Sequence, residues 1–156
     1  MHLGNVKMLY LLWLVPALVL LFAWAAARRR AALRRFCRFV GVAYQLLNDF
    51  KDWRSERDGK LVAGQDCLAW RPTMLLALAL EAGEAEPFRA LIAAPRDGAG
   101  REDRLDALRK LYDDRGAFDK GRRLIDEYCQ RARAEADAIE PEALRDLMHF
   151  IVEVVL

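Results

Sequence analysis

Met8 to Ala27, MLYLLWLVPALVLLFAWAAA, is a run of 20 residues without a charge, and no other stretch restricts the folding of this chain so strongly. As a helix it is about 30 Å long, the thickness of a hydrocarbon core. Pro16 is compatible with that environment, because transmembrane helices accept proline better than soluble ones do. Arg28, Arg29, Arg30, Arg34, Arg35 and Arg38 follow the run, whereas only Lys7 precedes it; the positive-inside rule then places everything after it in the cytoplasm. The expectation is a single-pass membrane protein: an anchor with its basic junction over 1–35, spanning at about 8–27, and a cytoplasmic helical domain over 36–156. Two other kinds of segment share such a run. A cleaved signal peptide requires its charge before the apolar run and a small-residue site not followed by arginines. The other is a buried helix of a soluble bundle.

The residues arranged for chemistry come next. Taken as a helix, Phe39 to Trp53 puts Gly41, Gln45, Asn48, Asp49 and Asp52 within one arc of roughly 100° at about 100° per residue. Phe39, Val42, Ala43, Tyr44, Leu46, Leu47, Phe50 and Trp53 surround that arc, which inverts the usual surface helix with its single apolar stripe. Ionised carboxylates are costly to bury unless paired or bound to a cation, and an oxygen-only set of this kind suits Mg²⁺ held partly through water and substrate phosphates. A solvated stripe, with Lys51 as a nearby counter-charge, accounts for the spacing equally well.

The sequence that follows adds a pattern. Gly41-Val42-Ala43-Tyr44-Gln45, Asn48-Asp49-Phe50-Lys51-Asp52, the turn Ser55 to Gly59, Gly59-Lys60, Asp66, Arg71 and Thr73 together resemble the second aspartate-rich region of the trans-isoprenyl diphosphate synthases, the polyprenyl synthetase family. The family pattern runs Gly-x-x-(Phe/Tyr)-Gln-x-x-Asp-Asp-x-x-Asp, then Gly-Lys, then Asp-Leu-x-x-Gly-Lys-x-Thr. The likeness continues through Tyr112, Gly116-Ala117 and the final helix, so it covers about 36–156. Residues 1–36 resemble the anchor of bacterial membrane proteins with von Willebrand factor A-type domains, which places a junction of two pieces near Arg28 to Phe36.

The first resemblance implies an all-α fold, part of the isoprenyl synthase helical bundle, and a reaction in which Mg²⁺ ions clamp an allylic diphosphate while isopentenyl diphosphate attacks the allylic cation. Carried over by position, Asn48, Asp49 and Asp52 hold metal and its waters, Lys60 and Arg71 neutralise diphosphate oxygens, and Gln45 hydrogen-bonds near the reacting centre. Four departures stand out. Asn48 replaces the first aspartate of the motif, Arg71 the second lysine and Trp70 the glycine before it, and the family's first aspartate-rich motif is absent: nothing before Phe36 is an Asp or Glu. The implied chain is half of a clamp, weak or inactive alone. The alternatives are a membrane-anchored helical module that pairs with itself or with a partner subunit, and a truncated or fused reading frame.

Elsewhere the chain excludes more than it suggests. A formal charge of +2, with no basic and aromatic residues interleaved over a polar face, gives no case for nucleic acid. Cys37, Cys67 and Cys129 lack metal-ligand spacing, and His2 and His149 are isolated. Downstream the pattern is helical throughout: Thr73 to Ala82, with Pro72 in its first turn, Pro87 to Ala94, a helix through Leu105 and Tyr112 stopped by Gly116, a long one through Phe118 and Ala132, and a last one opened by Glu140-Pro141. Pro95 to Gly100 is a loop, and Asp113-Asp114 a solvated helix end. The apolar faces of Met74 to Leu80 and of Tyr44, Leu47 and Phe50 are expected to lack partners, since in a complete synthase they pack on an N-terminal half that this chain does not encode.

Overall fold

α1, Val6–Trp53, is one uninterrupted helix of 48 residues, about 72 Å long at 1.5 Å per residue. The compositional boundary at Arg28 to Phe36 leaves no break in it, because Ala, Arg and Leu, which fill that stretch, are among the strongest helix formers. The computed structural model describes residues 6–53, 64–93 and 100–156. Six further helices follow among the described residues: α2 Gln65–Leu68, α3 Met74–Glu81, α4 Glu86–Ala93, α5 Arg101–Asp114, α6 Ala117–Asp137 and α7 Glu142–Val155. There is no strand among the described residues. The all-helical expectation therefore holds, and one helix is long and apolar enough to cross a membrane.

The two halves of α1 differ in what covers them. From Leu12 to Trp24 its large apolar side chains are 44% to 73% exposed, and none of its most apolar 18-residue window is buried. Burial begins at Ala32 and Phe36 and continues through Ala43, Leu46, Asp49 and Trp53. A core helix of a soluble bundle would be covered along its apolar run; this one is covered only beyond it.

α6 lies antiparallel against the second half of α1, as the pairs Arg35 with Glu135, Phe39 with Tyr128 and Phe50 with Phe118 show. Ala117, Gly121, Ala132 and Ala136 are buried on one face of α6, and these small residues let the two backbones approach. A Cβ at Gly121 would meet Leu75 Cδ2 at 2.9 Å and the Phe50 ring at 3.1 Å. One core joins α1, α3, α4, α5 and α6 around Leu46, Trp53, Leu75, Phe88, Leu108, Tyr112 and Phe118; a second joins Ala32 and Phe36 to Ala132, Ala136, Ile139, Met148 and Val152.

That first core corrects the expectation of bare apolar faces. Leu75, Leu76 and Leu78 are buried, Leu47 and Phe50 are half-buried, and Tyr44, at 48%, is the exposed member of its group. The reason is that α5 and α6 fold back over α3 and α1, so the chain covers with its own C-terminal half what a longer bundle would cover with another. Boundaries shift slightly as well. Thr73, not Pro72, sets the start of α3: it is the N-cap, and its hydroxyl accepts from the Leu76 N–H at 3.1 Å. α4 begins one residue before Pro87, and α7 begins at Glu142, after a cis Glu140–Pro141 bond. The expected turn at Ser55 to Gly59 and most of the loop at Pro95 to Gly100 lie outside the described residues.

Candidate functional site

The polar arc of α1 divides in two once the bundle forms. Gln45 and Asn48 face outward, Asp52 is half-buried, and Asp49 is 3% exposed. Asp49 sits where α3 begins. Its Oδ2 accepts from the Met74 N–H at 2.7 Å and the Leu75 N–H at 3.2 Å, and its Oδ1 accepts from Gln45 Nε2 at 2.9 Å. A helix leaves the N–H groups of its first turn without intrahelical partners; here Asp49 takes those of Met74 and Leu75, Thr73 Oγ1 takes that of Leu76, and the intrahelical series begins with the Ala77 N–H on the Thr73 carbonyl. The negative charge also suits the positive end of the helix dipole. Asp49 thus ties α1 to α3 across 25 residues of sequence.

Asp52 does the same for α2. Its Oδ2 accepts from the Asp66 N–H at 3.1 Å, and its backbone carbonyl accepts from the Gly64 N–H at 2.7 Å. Gly64 has φ 71°, and a Cβ there would lie 2.5 Å from Leu105 Cδ2, so only glycine fits the turn. Asp66 in turn accepts from Arg71 Nη1 at 2.7 Å, and the Asp66 carbonyl accepts from the Arg71 N–H at 2.8 Å. Arg71 therefore lies in a local ion pair on an exposed surface. Lys60, the other cation expected beside a diphosphate, lies outside the described residues.

Trp70 stands where the pattern that the sequence resembles has glycine, and its backbone is one that favours glycine. Its φ is 53°, in the left-handed region that costs an L-residue roughly 1–2 kcal/mol and glycine almost nothing. Trp70 is 37% exposed, so most of its indole is covered, and that burial is lost in either truncation. We expect Trp70→Gly, which relieves the strain, to be more stable than Trp70→Ala, which keeps it, by about 1 kcal/mol. Urea titrations of the two variants in one detergent check the order.

The structure thus brings Gln45, Asp49, Asp52, Asp66 and Arg71 into one hydrogen-bonded region around the starts of α2 and α3, with Asn48 beside it on the open face of α1. The residues do not by themselves fit a Mg²⁺ cage: no three His, Cys, Asp or Glu groups converge on a metal position among the described residues, and the Asp49 carboxylate already has three donors. Under this region Tyr112 donates to Cys67 Sγ at 3.5 Å. Burial pushes the Cys67 thiol above its ordinary 9.0 and the Tyr112 hydroxyl well above its ordinary 10.0, so both are neutral core groups at physiological pH.

Sequence reasoning missed Arg115, which donates from Nη1 to the Ala79 carbonyl at 3.0 Å and from Nη2 to the Glu84 carbonyl at 2.7 Å, with its guanidinium 4.9 Å from the Phe88 ring centre. It closes the C-terminal end of α3, and nothing in local spacing marks it. A cavity of about 320 Å³ opens on the other flank of α1, among Leu47, Phe50, Trp53, Phe118 and Ile125, with Arg109, Asp113 and Arg122 at its rim. His149, read as isolated, pairs with Asp137 at 2.9 Å. No protein-family model matches this chain, and no curated protein or solved structure matches it.

Proposed function

We propose that this chain is a membrane-anchored helical interaction module, held by a single span at about 8–27 with its bundle in the cytoplasm. The observation that carries this reading is the division of α1: its uncharged run is uncovered while the same helix, two turns further on, is the spine of the bundle. Exposed large apolar side chains on a soluble protein each forgo about 1.5–3 kcal/mol of burial; a hydrocarbon environment removes that penalty. The six arginines that follow set the orientation. We expect the full chain to stay in the membrane pellet through carbonate extraction, and exposed Cys37 to react with a membrane-impermeant maleimide only after cells are permeabilised. Release into the carbonate supernatant removes the anchor; labelling of Cys37 in intact cells reverses its orientation.

A second reading is favoured by one specific observation: Gln45 and Asn48 lie open on the face of α1 that, in the family the sequence resembles, looks onto the diphosphate. On this reading the chain is a polyprenyl synthetase-like transferase component of isoprenoid biosynthesis. It contributes Asn48 and Asp52, with Lys60 and Arg71, to a Mg²⁺–diphosphate site that a polypeptide bearing the first aspartate-rich motif completes, for an allylic diphosphate and isopentenyl diphosphate. Its partner is then a second subunit or a second copy of the chain. The expected result is weak, Mg²⁺-dependent binding of pyrophosphate to the full chain by calorimetry, lost in Asp52→Ala. Binding that is equal with and without Mg²⁺ removes this reading and leaves the interaction module standing.

A further inference from the structure

The basic segment between the apolar run and the bundle is organised by face. Residues 1–48 contain no Asp or Glu, although the chain has 23, so each arginine from Arg28 to Arg38 depends on the bundle for a counter-charge. Arg35 has one, donating from Nε and Nη2 to the Glu135 carboxylate at 2.6 and 2.9 Å. Arg28 lies over the Trp24 ring, 4.8 Å from its centre. Arg30, Arg34 and Arg38 are exposed, and among the described residues none of the three takes part in a hydrogen bond or ion pair. Their four-residue spacing puts them on one side of the helix, the side that continues into Gly41, Gln45 and Asn48.

Geometry and charge both direct this stripe at a lipid surface. At 1.5 Å per residue the three Cα atoms lie about 4.5, 10.5 and 16.5 Å beyond Ala27, and the headgroup layer is roughly 5–8 Å thick on each side of the hydrocarbon core, so Arg30 lies within the layer, Arg34 just above it and Arg38 further above, within about a Debye length of the surface. Helical side chains lean toward the N-terminus, here toward the membrane, and a long apolar stem lets a charged head reach along a surface. The planar guanidinium binds phosphate oxygens bidentately. Residues 49–156, by contrast, hold all 23 acidic residues against 18 basic ones. An anionic leaflet attracts the stripe and repels the bundle, which holds the bundle off the surface while the near end of the stripe stays in it.

We propose that Arg30, Arg34 and Arg38 form a basic ladder that recruits anionic phospholipid to one side of α1, Arg30 and Arg34 binding headgroup phosphate directly and Arg38 adding attraction from above the surface. The proposal rests on the membrane-anchor reading above and adds to it a lipid class and a binding face. Its test uses the full chain in phosphatidylcholine vesicles containing, as an equal minor component, either brominated phosphatidylglycerol or brominated phosphatidylcholine, with quenching of Trp13 and Trp24 as the readout. The expected result is preferential quenching by the anionic lipid, an enrichment of about fivefold or more, abolished in R30Q/R34Q/R38Q and largely kept in R28Q/R29Q. These three side chains are exposed and make no hydrogen bond or ion pair among the described residues, so the triple variant is expected to keep its far-UV spectrum. Equal quenching by the two lipids, or enrichment that survives the triple variant or is lost in R28Q/R29Q, overturns the ladder while leaving the span intact. Quenching by neither lipid means that the run is not in the bilayer, and the anchor and the ladder fall together.

Discussion

Asp49→Ala is expected to lower the stability of the bundle by about 3–5 kcal/mol, since hydrogen bonds to a charged group are worth roughly 1.5–3 kcal/mol each and a buried donor left without an acceptor costs about 1–3 kcal/mol, non-additively. The substitution removes the acceptor of the Met74 and Leu75 N–H groups at a position 3% exposed, where water cannot readily replace it. Against a net stability of roughly 5–15 kcal/mol for a domain, that is a large fraction. Asp49→Asn keeps one acceptor oxygen, and its amide nitrogen brings a donor where a donor is not wanted; a loss of about 1–2 kcal/mol is expected. Urea unfolding of the full chain in detergent, followed by far-UV circular dichroism without added metal, measures both. A carboxylate whose work is to hold a metal would instead leave metal-free stability unchanged or improved when removed, so a change within about 0.5 kcal/mol, the range of surface substitutions, would falsify the helix-tying role.

Tyr112→Ala is expected to cost about 3–5 kcal/mol, the range for deleting a large buried aromatic side chain. Tyr112 is fully buried, with ring centres of Trp53, Phe88 and Phe118 at 5.0, 5.2 and 5.6 Å, so it joins α1, α4, α5 and α6 at one point. Tyr112→Phe keeps the ring and removes the hydrogen bond to Cys67 Sγ, a loss of about 1 kcal/mol. The same pair gives stability a pH dependence of known sign. Burial raises the folded-state pKa of both Cys67 and Tyr112 above their ordinary 9.0 and 10.0. Well below pH 9 neither state ionises them and their contribution is fully present; as pH rises through 9 and then 10 the unfolded chain loses the thiol and then the phenol proton first, and stability falls. Tyr112→Phe should therefore show a shallower decline than the parent chain above pH 9. Parallel declines would place the alkaline titration elsewhere.

Helices, and the division of this chain into an apolar run and a bundle, are written locally. The run Met8 to Ala27 declares itself by length and lack of charge, and the inward faces through Leu108, Tyr112, Met148 and Val152 by a spacing that a helix turns into one side. Gly116, at φ 63°, marks the break between α5 and α6 because its lack of a Cβ is a local property. Composition misled only where it changed without a change in backbone preference: the boundary at Arg28 to Phe36 is a boundary of environment, and α1 runs straight through it.

The roles of the polar residues were decided in three dimensions. Gln45, Asn48, Asp49 and Asp52 share one arc by periodicity, yet Asp49 is buried and Asn48 open. The difference lies with α3, whose first turn lands on one edge of the arc and brings the Met74 and Leu75 amides to Asp49. A helical period specifies which residues share a face but not which element will cover it, because covering depends on contacts between segments 25 or more residues apart. The same limit hid the cover that α5 and α6 provide for Leu75, Leu76 and Leu78, and hid Arg115, whose two backbone acceptors lie 31 and 36 residues away. Sequence by itself determined that this chain is helical, that one helix suits a membrane, and which polar side chains share one arc of α1; tertiary packing decided that two of its carboxylates hold helices together, since a charge that a helix end has already bound is no longer simply a charge on a surface.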